Sequence, residues 1–268
     1  RRVAARARPE LAAGRAVVTG GFVGRAPGGE TTILGWEASD YSATLLGAAL
    51  PAELVEIFSD VDGVFTADPR LVPGARLVPR LSYAEATDLA WLGAKVLHPK
   101  TMAPVARRGV PVRIRNSFRP EHEGTLVGPG VADAAAPRGV AAKGGLTPEE
   151  VVATVGATCG ARLLDQLAGA AAGAAVEPES PFAPPPAEEL ERLARDGERA
   201  AGLALVSVVG AAWRPEVAAR ALAALDGVPH VAVPKNGCGE HRSWAVPEPR
   251  RADAVERLER ALFAGAAE

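Results

Sequence analysis

Short apolar runs alternate with helical patterns through the first half of the chain, and this alternation restricts the fold more than any other feature. Ala16–Thr19, Thr31–Leu34, Val55–Phe58 and Val112–Ile114 have the length and β-branched character of strands. Tyr41–Leu50, Tyr83–Leu92 and Lys100–Arg108 place apolar residues at helical spacing. Strands alternating with helices predict an α/β architecture, a parallel sheet covered on both faces. Gly20–Gly35 is rich in glycine and proline, and its RAPGG stretch reads as a hairpin tip.

The pattern changes after Gly128-Pro129-Gly130 and the loose VADAAAPRG, which read as a linker. Leu203–Val209 reads as a strand, Pro215–Leu225 as a helix and His230–Val233 as a strand. Lys235–Gly239 (KNGCG) supplies a turn, Arg242–Val246 another strand and Arg251–Phe263 a helix with Val255, Leu258 and Leu262 on one face. This β-α-β-β-α order predicts a ferredoxin-like α+β module. The unit between 139 and 200 is weaker: strand-like Val151–Val155, a helix at Ala161–Ala172, a rigid break over Pro178–Pro186 and a helix from Ala187 to Arg195.

Composition excludes several classes. The net charge of -2 points to neither nucleic acid nor an anionic membrane. The longest apolar stretch, Leu167–Val176, is too short to span a bilayer. Two cysteines, Cys159 and Cys238, are too few for a disulfide framework and fit a reduced, cytoplasmic setting. Met102 is the only methionine, so the chain reads as a piece of a longer protein.

Two stretches carry residues suited to chemistry. In Val55–Arg70, VEIFSDVDGVFTADPR, a strand ends at Ser59-Asp60 and opens into a loop rich in Asp, Gly and Pro. Ligands of open α/β sheets bind at such carboxyl-terminal loops, although Ser59, Asp60 and Asp68 are equally good turn formers. Asp60-x-Asp62-Gly63 falls short of a calcium loop, because Leu71 stands where the closing Glu belongs. In Trp91–Pro99, WLGAKVLHP, Lys95 either snorkels to water or meets a phosphate as a point charge. His98, His122, His230 and His241 lack partners at zinc-ligand spacing, so no metal site is predicted. Neither a Gly-x4-Gly-Lys-Ser/Thr loop nor a Gly-x-Gly-x-x-Gly loop occurs.

In order and spacing, SDYSATLLGAAL, EIFSDVDGVFTADPR and LSYAEATDLAWLGAKVLHPKTMAPVARRGVPVRIRNSF resemble the second half of the aspartokinase catalytic domain. GLALVSVVG and GEHRSWAVPE are similar to strands of the ACT domains that follow it. The resemblance implies that residues 1–130 are the C-terminal half of a kinase domain with the three-layer parallel sheet of amino-acid kinases. Residues 131–268 would be a tandem ACT region, its first unit (139–200) eroded and its second (202–263) intact.

The same resemblance implies transfer of the γ-phosphoryl of ATP, with Mg2+, to the side-chain carboxylate of L-aspartate, in a homodimer paired through the ACT region. Ser59, Asp60, Phe65, Arg70, Lys95 and Val96 would form the ATP side. Ser39 would hold aspartate, with Trp36, Glu37 and Ala38 on the same side, and Asp40 would orient the catalytic groups. Two departures stand out. The family's Lys-Phe-Gly-Gly phosphate loop does not occur in this sequence. Gly35-Trp36-Glu37-Ala38-Ser39-Asp40 replaces Gly-Arg-Gly-Gly-Ser-Asp, so the family's carboxylate-gripping Arg is Trp36. A non-catalytic regulatory subunit and a pseudokinase of the same family are the competing readings.

Overall fold

The computed structural model describes residues 2–35, 38–50, 52–94, 96–129, 136–156, 187–196, 202–210, 214–233 and 241–264. Expectations for Trp36, Glu37, Lys95, the 161–172 helix, both cysteines and the 235–239 turn therefore lie outside the described residues.

The chain opens with helix α1 (Arg2–Ala12) and the hairpin β1 (Val23–Arg25) and β2 (Thr31–Ile33), paired around the RAPGG tip. Ala16–Thr19 forms no strand: Val18 is 94% exposed, and an apolar run without a ladder partner has nothing to hold it extended. Helix α2 (Ser39–Ala49) follows, starting two residues ahead of the Tyr41–Leu50 pattern.

The first sheet contains β3 (Val55–Ser59), β4 (Arg80–Leu81), β5 (Val112–Asn116) and β6 (Thr125–Val127), in the order β3-β5-β6-β4. Strands β3 and β5 are parallel, as the alternation predicts. Their crossover includes helix α3 (Tyr83–Trp91), a 3-10 turn (Pro99–Thr101) and helix α4 (Met102–Ala106). The sheet is mixed rather than wholly parallel, because β6 runs antiparallel to β5. Only residues 117–124 join those two strands, too few for the crossover that a parallel pair requires.

The second sheet holds β7 (Gly139–Leu146), β8 (Leu203–Val209), β9 (Val231–Val233) and β10 (His241–Pro247), all antiparallel in the order β7-β8-β10-β9. Helices α7 (Pro215–Ala224) and α8 (Arg251–Phe263) complete the expected β-α-β-β-α order. Segment 139–146, which the sequence groups with the weaker unit, supplies the outer strand of this sheet. Helices α5 (Pro148–Gly156) and α6 (Ala187–Asp196) come from the same stretch. The strand expected at Val151–Val155 is thus part of a helix. Thr147 and Glu150 form a reciprocal cap, Thr147 N donating to Glu150 Oε2 (2.9 Å) and Glu150 N to Thr147 Oγ1 (3.3 Å). With Pro148 in the first turn, that cap outweighs the β-branched preference.

Strand β8 is buried along its whole length. Leu203, Leu205 and Val209 share a core with Val151, Val155, Leu190 and Leu193 of α5 and α6, whereas Ala204, Val206 and Val208 pack with residues of α7 and α8. Two covered faces explain why its sequence is continuously apolar rather than alternating. The two sheets are not independent. The core that includes Val151 also takes in Leu81, Leu89 and Leu92 from around α3. No described helix is long and apolar enough to cross a membrane.

Candidate active site

The loop after β3 begins with Ser59 Oγ donating to Asp60 Oδ1 (3.1 Å). It is then folded back as a short ladder, in which Thr66 N donates to Arg76 O and Val78 N to Val64 O, both at 2.8 Å. Thr125 staples the loop to the sheet: its hydroxyl accepts from Val64 N (2.9 Å) and donates to Val78 O (2.7 Å). Asp68 shapes the next turn. Its carboxylate accepts from Arg70 N (2.9 Å), and its backbone carbonyl accepts from Leu71 N and Val72 N, both at 2.9 Å.

The same carboxylate grips the guanidinium of Arg70, Nη2 at 2.7 Å from Oδ2 and Nε at 3.0 Å from Oδ1. Hydrogen bonding and charge from Asp68 raise the Arg70 pKa further above its already high ordinary value, so the side chain is a fixed cation.

Helix α3 delivers the opposite wall. Ser82 and Glu85 form a capping box at its start, with Ser82 N to Glu85 Oε2 at 2.7 Å and Glu85 N to Ser82 Oγ at 3.1 Å. At its end Gly93 (φ 114°) runs so close to β7 that a Cβ there would lie 2.4 Å from the Ala142 carbonyl. Only glycine fits this approach.

Between these walls lies a cavity of about 600 Å³. Of the six residues expected on the ATP side, Asp60, Phe65, Arg70 and Val96 line it together. Ser59 sits one residue outside the described lining, and Lys95 is outside the described residues. Sequence reasoning missed the far wall, where Val140–Ala142 of β7 and Arg251 and Val255 of α8 close the cavity. No motif marks those positions, because they meet the loop only in the tertiary structure, where Val140 N donates to Thr66 O (2.6 Å) and the second sheet packs on α3.

The expected substrate side is built separately. Ala38 is buried at the N-cap of α2 and makes no side-chain cap, and Ser39 Oγ lies 3.4 Å from Asp40 Oδ1. The glycine-rich turn ahead of β1 packs on this helix start, Phe22 N donating to Ser42 Oγ (2.9 Å). Ser39 and Asp40 are not among the described lining of the cavity. No group of three or more His, Cys, Asp or Glu able to hold a metal occurs among the described residues.

Residues 2–116 match the amino acid kinase family. Over 111 residues the chain is 47% identical to the lysine-sensitive aspartokinase 3 of Escherichia coli, a match covering 41% of this chain and 25% of that one. Over 117 residues it is 46% identical to the bifunctional aspartokinase/homoserine dehydrogenase of Haemophilus influenzae, covering 44% of this chain and 14% of that one. The architecture is similar to E. coli aspartokinase III in complex with aspartate and ADP, with a TM-score of 0.69 and 26% identity across 97% of this chain. By these matches the chain is similar to aspartokinases. It spans 63% of that structural neighbour and a quarter or less of these two curated relatives. A Clostridium acetobutylicum aspartate kinase shares the fold at a TM-score of 0.64 and 21% identity.

Proposed function

We propose that the chain is the C-terminal part of an aspartate kinase, which uses ATP to phosphorylate the side-chain carboxylate of L-aspartate. The observation that carries this reading is the shared cavity: Asp60, Phe65, Arg70 and Val96 converge on one space although 36 positions of sequence separate the first from the last. Phe65 offers an apolar ring for a base. Arg70 offers charge for a phosphate, and phosphoryl transfer depends mostly on positioning and charge neutralisation. The structural neighbour bound to aspartate and ADP supports the same substrates here.

Magnesium fits this site as a companion of ATP. It is commonly held by one or two carboxylates plus phosphate oxygens and water, and Asp60 in the cavity wall is the carboxylate suited to it. When bound with ATP, the ion would neutralise phosphate charge. The second sheet is read as an ACT-type regulatory module, and the protein as a cytoplasmic homodimer paired through it. The scarcity of cysteine supports the compartment.

A non-catalytic reading is favoured by one specific observation, the replacement of Gly-Arg-Gly-Gly by Gly35-Trp36-Glu37-Ala38 ahead of Ser39. Calorimetry with Mg-ATP tests the primary reading on this chain. Binding in the millimolar range or tighter, weakened by Arg70→Ala, is expected. Failure of the unaltered chain to bind at millimolar Mg-ATP would overturn the nucleotide site.

A further inference from the structure

Among the described residues, the cavity is short of positive charge unless the second sheet's module supplies it. The charged residues of its described lining are Asp60, Asp68, Arg70 and Arg251. Without Arg251 the described walls would present two carboxylates and one guanidinium, and that guanidinium is already engaged by Asp68. Such a surface repels a polyphosphate rather than attracting it.

Arg251 is held in a built seat. Its Nη1 lies 2.8 Å from Glu248 Oε1, and Glu248 Oε2 accepts from Gly145 N at 2.9 Å. The β7–β8 pairing is irregular between Lys143 and Leu146, beside this contact. A Cβ on Gly144 would fall 2.0 Å from the Arg251 Nη1 atom, so glycine there leaves room for the guanidinium. The Arg251 side chain remains 35% exposed, enough to reach a ligand from its seat.

We infer that Arg251 is a phosphate-binding residue of the nucleotide cavity, carried by the C-terminal module across to the kinase segment. The inference rests on the nucleotide reading of that cavity and deepens it. The ligand class is a nucleoside polyphosphate, whose oxygens would take guanidinium hydrogens now directed to Glu248. A corollary is that the docking of the second sheet sets nucleotide affinity directly, through a side chain that both ligand and module hold.

Isothermal calorimetry on the 268-residue chain tests this with Mg-ATP and adenosine as probes. Arg251→Ala should weaken Mg-ATP by about tenfold, as loss of a charge-assisted contact does, and leave adenosine unchanged. Arg251→Lys should recover part of the loss. Glu248→Gln, which removes the competing charge, should tighten Mg-ATP about two- to threefold. Equal Mg-ATP affinity in the unaltered chain and Arg251→Ala would overturn the inference while leaving the nucleotide reading intact. So would an equal loss for adenosine, which signals a packing role. If Arg251→Ala melts too low to titrate, unchanged affinity in Glu248→Gln overturns the inference. No Mg-ATP binding by the unaltered chain would remove the nucleotide reading and this inference with it.

Discussion

Thr125 joins three segments with one hydroxyl, accepting from Val64 and donating to the carbonyl of Val78. It is fully buried, so neither backbone group can turn to water if the hydroxyl is lost. Thr125→Val keeps the shape and removes both bonds. Each buried group left unsatisfied costs about 1–3 kcal/mol, so urea unfolding should show a loss of about 2–6 kcal/mol. The residues ahead of α2 pose a functional question at the same scale. On the proposed reading, Trp36 is neutral where the resemblance implies a cation, and Glu37 adds negative charge where an anionic substrate would be held. In a full-length enzyme carrying this chain, Trp36→Arg with Glu37→Gly and Ala38→Gly should raise kcat/KM for aspartate at least tenfold, about 1.4 kcal/mol. Steady-state kinetics at saturating ATP would show it. Equal turnover in the unaltered enzyme would mean that another cation holds the carboxylate.

Helix α3 is the element on which the site depends most. Its capping box fixes the start, while its end carries Gly93, Ala94 and Val96 into the cavity wall. Ser82→Ala should cost about 1 kcal/mol of stability in thermal melts, the ordinary value for a lost cap. Glu85 does double duty, because its other oxygen lies 3.1 Å from Arg138 Nε in a largely buried pair. Helix α8 offers a test against pH. Arg250 and Arg257 lie 2.5 Å and 2.7 Å from the Asp253 carboxylate, and hydrogen bonds from these two hold its pKa below the ordinary aspartate value. A depressed carboxylate stabilises the fold above its unfolded pKa and loses that contribution as pH falls through the folded pKa. Asp253→Asn should therefore lower stability slightly and evenly at neutral and alkaline pH, and flatten the acid limb of a stability–pH curve below the usual aspartate range. The contribution is small, since the group is solvent-screened.

At the scale of the whole molecule, polar contacts stitch the second sheet and its helices to the first half of the chain. Thr66 Oγ1 donates to Glu259 Oε1 (3.0 Å), Trp91 Nε1 donates to Thr154 O (3.0 Å), and His241 Nδ1 lies 3.4 Å from Asp88 Oδ2. Asp88 and His241 are both buried, and Asp88 Oδ1 has no hydrogen-bond partner among the described residues. Removing the imidazole would deprive a buried carboxyl of its described partner, so His241→Ala should cost at least about 2 kcal/mol. Chemical denaturation would register this as a lowered midpoint, together with looser docking of the two segments. The proposed dimer belongs here as well. Strand β9 is a three-residue edge of the second sheet, and an open edge favours pairing with a second copy. Light scattering at tens of micromolar should give twice the chain mass, and a monomer there would remove the proposal.

Much of the architecture was readable from local chemistry. The β-branched run and acidic loop of Val55–Arg70 predicted a strand ending in a ligand-type loop, and Arg251–Phe263 predicted an amphipathic helix, because periodicity reports burial of one face. Local signals misled where a partner or a cap decided the outcome. Ala16–Thr19 lacks a ladder neighbour, and Val151–Val155 was captured by the Thr147–Glu150 cap. Part of the candidate site was legible in the sequence, Asp60 from its loop and Phe65 and Arg70 from the family resemblance, and all three sit in one continuous loop. The rest was decided by tertiary structure alone. Arg251 lies 181 residues after Arg70, and the burial of α3 against β7 and β8, with the direct bonds of Thr66 to Val140 and Glu259, brings the two guanidinium groups to one cavity.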